Sequence, residues 1–158
     1  MDKHYELDHL DIKILRYLQV DARMTIKEIA SKLNISTTPV FDRMKKMERV
    51  GLIKSYVALI DRKMIGKNLI VFIHISIKDH GKDAIDDFVD SIIKFPEVLE
   101  CHHVSGDSDF LIKLVLEDIE MYNWFILDKL AVIPNVGKVE SRFSLSERKM
   151  TTEIPISE

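Results

Sequence analysis

The hydrophobic period of this chain changes at Gly51. Before it, apolar residues recur every three to four positions: Leu7, Leu10, Ile14, Leu15 and Leu18, then Ile26, Ile29, Ala30 and Leu33, then Val40, Met44 and Met47. That is the period of helices buried along one side. After it, LIKSYVALI, NLIVFIHISI, EVLECHHVSG, DFLIKLVLE and NVGKVESRFSL are short strand-like runs rich in β-branched residues. Two amphipathic helices, KDAIDDFVDSIIKF and MYNWFILDKLAVI, are spaced among them. Such a chain is α+β in two parts. Residues 1–52 read as a three-helix, winged-helix-like helix-turn-helix domain. Residues 53–66 read as a linker strand and connection, and residues 67–158 as a second domain.

Local signals sharpen both halves. Thr25 with Glu28 forms a capping box, Ser36 suits a helix N-cap, and Pro39 falls in a first turn where a missing N–H costs little. Only Asn34–Ile35–Ser36 separates the second helix from the third, which is helix-turn-helix spacing. The second domain runs strand, helix, strand, strand, helix, strand: the βαββαβ order of a ferredoxin-like sandwich. Two helices cover one sheet face and leave the other for a partner, most simply a second copy of the chain.

Charge divides at the same place. Residues 1–60 carry 11 Lys+Arg against 8 Asp+Glu, a net of +3; residues 61–158 carry 12 against 18, a net of −6. Any polyanion is therefore expected on the first domain, although the whole chain is at −3. The charged fraction of 31% and apolar fraction of 46% suit a water-soluble protein, and no apolar run nears the roughly 18 residues of a membrane span. MDKHYELDHL lacks the apolar core of a secretion leader, and Cys101 is the single cysteine, so a cytoplasmic location is expected.

In helix-turn-helix geometry the second helix of the pair enters the major groove. Thr37, Thr38, Asp42 and Lys45 are placed at base edges of double-stranded DNA. Ser36, Arg43, Lys46 and Arg49 are placed at phosphates, with Thr25 and Lys27 from the preceding helix. Asp42 has two readings: it accepts from a cytosine amino group, or it pairs with Arg43, Lys45 or Lys46 and orients them. The cost of desolvating a carboxylate beside phosphates favours the second.

In the second domain, Gly106–Asp107–Ser108–Asp109 reads first as a tight turn and second as a ligand loop, with backbone N–H groups for a carboxylate and Asp107 for an ammonium. His102 and His103 alternate across a strand and cannot share one metal ion, so no metal site and no cofactor are expected. There is no P-loop, GxGxxG or Ser-His-Asp order, and an enzyme is not expected.

Four stretches together carry a resemblance. LDHLDIKIL with VDAR (Leu7–Leu15, Val20–Arg23), IASKLNISTTPVFDRMKKMERVGLI (Ile29–Ile53), FPEVLECHHVSGDSDFLIK (Phe95–Lys113) and PNVGKVES (Pro134–Ser141) resemble, in order and spacing, the motifs of Lrp/AsnC transcriptional regulators. The resemblance implies a DNA-binding front, a linker strand near Ser55–Ile60, and a C-terminal domain that takes a small effector, most often an amino acid. It also implies homodimers that often join into octamers. Effectors of the family sit by the loop at Gly106, Asp107, Ser108 and Asp109, at a subunit interface, and Ser141 aligns with a family Ser/Thr. His103 is placed at the edge of that site. Ser108 stands where the family often has Tyr, which enlarges the pocket and leaves the effector open. Two other readings stay in play: a DNA-organising protein with little sequence preference, and a stand-alone metabolite-binding protein.

Overall fold

Asp8 opens the first helix by accepting from the backbone N–H groups of Leu10 and Asp11, and the Asp11 carboxylate accepts from Asp8 N in return. This reciprocal cap starts α1, His9–Val20, in the computed structural model, which describes residues 5–157. Residues 1–4, within the MDKHYELDHL stretch, and residue 158 lie outside them. The expected box of Thr25 and Glu28 starts α2, Ile26–Leu33, which ends at Asn34 with a left-handed φ of 56°. A short polar side chain tolerates that conformation. Next comes α3, Thr37–Arg49, with Ser36 at the N-cap position but making no side-chain capping bond. Gly51, at φ +75°, turns the chain off α3, and the Leu52 and Ile53 N–H groups both donate to Met47 O.

The chain divides into two units, Met1–Leu59 with Lys149–Glu158, and Ile60–Arg148. In the first, Ile14, Ile29, Val40 and Met47 are fully buried, as their spacing required. Each contributes about 1.5–3 kcal/mol by leaving water. The C-terminal tail, read from sequence as part of the second domain, groups with the helices instead. Gln19 Nε2 donates to Ile154 O at 3.1 Å, Ile154 N donates to Gln19 Oε1 at 2.7 Å, and Ile156 packs on the helical core. A short extended tail has no period of its own to say which core it joins.

LIKSYVALI is not a strand. Residues 52–60 take no regular structure, and Val57, Leu59 and Ile60 are 67%, 62% and 62% exposed. A strand needs a neighbour for its N–H and C=O groups, and among the described residues the chain supplies none here.

The second unit follows the expected order: β1 Leu69–Ile77, α4 Lys82–Ile92, β2 Val98–His103, β3 Phe110–Leu116, α5 Ile119–Trp124 and β4 Val136–Phe143. A π-helical turn, Phe125–Leu130, continues α5. The sheet is antiparallel in the order β2-β3-β1-β4. Alternation sends Val71, Ile73 and Ile75 of β1 and Phe110, Ile112 and Leu114 of β3 under the helices, where Phe88 and Phe125 join them. Phe72, His74 and Ser76 project from the other face. Glu140 is paired with His74, and Arg142 with Phe72, so both share that face. Gly137 lets β4 cross a bulge in β1 closely: a Cβ there would lie 2.7 Å from Ser76 O.

Candidate DNA-reading helix and ligand cavity

The core stripe of α3 turns Val40 and Met47 inward and leaves Ser36, Thr37, Thr38, Asp42, Lys45, Lys46 and Arg49 exposed. Thr25 and Lys27 are exposed at the start of α2. Lys45 Nζ pairs with Glu48 at 2.7 Å on the same helix, and Lys46 Nζ lies 4.8 Å from the Tyr5 ring centroid. The Lys45–Glu48 pair holds the Glu48 carboxyl below its ordinary range but is solvent-accessible, so a base edge can draw Lys45 away cheaply.

Arg43 is placed differently from the phosphate role expected for it. Its Nη1 donates to Asp8 Oδ2 at 2.5 Å and to Asp11 Oδ1 at 2.7 Å. The hydrogen bond it donates to Asp11 is the main cause of its raised pKa. The side chain is committed to α1. Asp42 is also placed differently from the favoured reading. Arg43 is held by Asp8 and Asp11, Lys45 by Glu48, and Lys46 lies over Tyr5. Among the described residues Asp42 makes no ion pair with any of the three.

In the second unit, the bare sheet face and the loop Val104–Ser108 enclose a cavity of about 490 Å³. Its floor carries His74, Ser76, Glu140 and Arg142, and Lys138, Asp107 and Ser108 stand at its walls. Ser108 Oγ lies 3.2 Å from His74 Nδ1. Lys138 and Glu140 form an ion pair, which raises the lysine pKa and lowers the glutamate pKa. Two cationic and two acidic side chains thus meet in one space. That suits a ligand bearing both a carboxylate and an ammonium group.

The comparisons agree with both halves. A family model described as "Lrp/AsnC ligand binding domain" matches residues 70–154, and one described as "Winged helix-turn-helix DNA-binding" matches residues 7–54. The leucine-responsive regulatory protein of Rhizobium meliloti is 33% identical over 96% of this chain and 97% of its own.

The chain belongs to the Lrp/AsnC family of transcriptional regulators.

Its solved relatives share the architecture. A transcriptional regulator of Neisseria meningitidis, solved as an L-Met complex, superposes with a TM-score of 0.90 at 37% identity, covering 95% of this chain and 97% of its own. AsnC of Escherichia coli gives 0.88 at 26%, covering 96% and 100%. Members of the Lrp/AsnC family are DNA-binding regulators with a ligand-binding domain, not enzymes.

Of the six residues placed at the effector, only Asp107 and Ser108 line the cavity. Gly106 lies in the same turn without lining it. Asp109 is turned into the fold: Oδ2 accepts from Ile77 N at 2.9 Å and Oδ1 lies 3.1 Å from His80 Nε2. The Ile77 N–H, then His80, hold its carboxyl below the ordinary range. His103 is exposed and stacks on Phe110, with ring centroids 4.9 Å apart, on the helix side of the sheet rather than at the cavity. Ser141 is register-paired with Ile73 on that same covered side, where its Oγ accepts from Tyr122 Oη. Alternation along a strand decides these cases: one position separates Ser141 from Arg142, and they face opposite ways. His74, Lys138, Glu140 and Arg142 escaped the sequence reading because their strands mix polar and apolar residues. Pairing β4 with β1 is what gathers them.

Proposed function

We propose that this regulator reads a specific operator with α3 and answers to an amino acid held in the cavity of its second unit. Thr37, Thr38, Asp42 and Lys45 meet base edges. Thr25, Lys27, Ser36, Lys46 and Arg49 hold phosphates. Asp42, without a cationic partner among the described residues, is suited to accept from a cytosine amino group. The observation that carries the effector reading is the meeting of Arg142 and Lys138 with Asp107 and Glu140 on one sheet face. The cations take a carboxylate, and the acids take an ammonium. The L-Met complex of the Neisseria relative supports the same class of ligand.

The regulator acts as a homodimer, with further association of dimers, in the cytoplasm. The exposed apolar run Val57–Ile60 and the bare sheet face support a second copy, which would give the linker the strand partner it lacks. Ligand binding then shifts the balance between assemblies or helix spacings. Calorimetric titration with the twenty amino acids, L-methionine first, tests the effector reading. Binding by wild type that is lost in Asp107→Ala and Arg142→Ala supports it. Binding unchanged in both variants removes this cavity from the account.

A further inference from the structure

Asp11 is the one buried charged residue among those described, at 2% exposure, and no feature of DNA or effector binding accounts for it. A carboxylate is kept out of water only where its acceptors are filled. Here Arg43 Nη1 donates at 2.7 Å, Tyr5 Oη at 3.2 Å and Asp8 N at 3.3 Å. Asp8, which caps α1, shares the same guanidinium nitrogen. Every group in the cluster except Arg43 lies at or just before the first turn of α1. Arg43 lies in the middle of α3.

The apolar stripe of Val40 and Met47 sets which side of α3 faces inward, but apolar contacts are non-directional and leave the last few degrees of its rotation to other groups. A charged hydrogen bond is directional. Successive residues on a helix are separated by about 100°. Arg43 drawn against α1 therefore turns its neighbour Asp42 outward, with Thr38, Lys45 and Arg49 on the same side.

We infer that Asp11 and Arg43 are positioning residues for DNA reading: the pair fixes the fine rotation of α3 that its apolar stripe leaves open, and so the aim of the side chains that meet the bases. This rests on α3 being the reading helix. It assigns Arg43 no phosphate. Removing the pair lowers discrimination between sequences while general attraction to DNA remains. A phosphate-binding Arg43 would act in the opposite way, lowering affinity for all sequences and reducing the salt slope by about one.

The experiment uses the full chain and a duplex selected by wild type from a random pool. Affinity for that duplex and for random DNA is measured across salt for wild type, Asp11→Asn, Arg43→Gln, Arg43→Lys and the double variant Asp11→Asn with Arg43→Gln. Thermal melts and stoichiometric titration give the folded, active fraction, so loss of protein is not mistaken for loss of discrimination. The ratio of specific to random affinity is expected to fall about tenfold in each single variant, comparable to losing one base contact. The double variant is expected to fall no further. The salt slope is expected to hold, and Arg43→Lys to recover part of the ratio. A wild-type ratio in Asp11→Asn, or a reduced slope in Arg43→Gln, overturns the inference. If Asp11→Asn does not fold, Arg43→Gln decides. If neither folds, the pair is a requirement of the fold and the inference is equally overturned. A wild-type protein with no preference between the duplexes overturns the DNA reading itself, and this inference with it.

Discussion

The Tyr122 hydroxyl donates to Ser141 Oγ at 2.9 Å on the helix-covered side of the sheet, tying α5 to β4. That bond gives Ser141 a structural task within the sheet's covered side. Ser141→Ala leaves the partly buried phenol without its acceptor and is expected to cost about 1 kcal/mol of stability, read as a lower melting temperature. Any amino-acid affinity that wild type shows should be retained. Lost affinity at an unchanged melting temperature would return Ser141 to the binding site.

Gly137 crosses β1 where a Cβ would lie 2.7 Å from Ser76 O. The obstacle is backbone within a paired strand, so it cannot rotate aside. Gly137→Ala is expected to destabilise the second unit by about 1–3 kcal/mol in urea unfolding. An unchanged midpoint would show that the bulge in β1 absorbs the methyl group.

Asp109 predicts a pH effect. Its folded pKa lies below the ordinary value, chiefly through the Ile77 N–H and then His80. A carboxylate with a depressed folded pKa contributes stability that is full above its unfolded pKa, about 3.9, and is lost as pH falls through the folded value. The stability gap between wild type and Asp109→Asn should be constant near neutrality and close in acid below about pH 4. A gap that widened on acidification would contradict the assignment.

How much of this was legible in the chain differs from residue to residue. Ile14, Ile29, Val40 and Met47 repeat at helical spacing, and burial requires nothing else, so the helical trio could be read directly. The βαββαβ order followed for the same reason: Pro96 and Pro134, with the Gly106 turn, separate runs of clear period. LIKSYVALI misled because period reports the ability to be a strand and not the presence of a neighbour. Asp11 sits among apolar positions, where nothing in one dimension reveals the arginine 32 residues away that compensates it. The same limit separates the effector residues expected from the sequence from those that line the cavity. The loop was found through its Gly and Asp residues, but the cationic half of the cavity, Lys138 and Arg142, comes from a strand whose facing depends on its register with β1.

The central claim is that the exposed face of α3 binds DNA electrostatically and reads its sequence. It is tested most directly by the salt dependence of affinity for the selected duplex, compared between wild type and the variant with Lys45, Lys46 and Arg49 all changed to Ala. Each phosphate contact contributes about 0.9 to the slope of log affinity on log salt. Lys46 and Arg49 are placed at phosphates and Lys45 at a base edge, so the account predicts a slope shallower by about two and a loss of specific binding at physiological salt. Wild-type affinity and slope in the triple variant would contradict it.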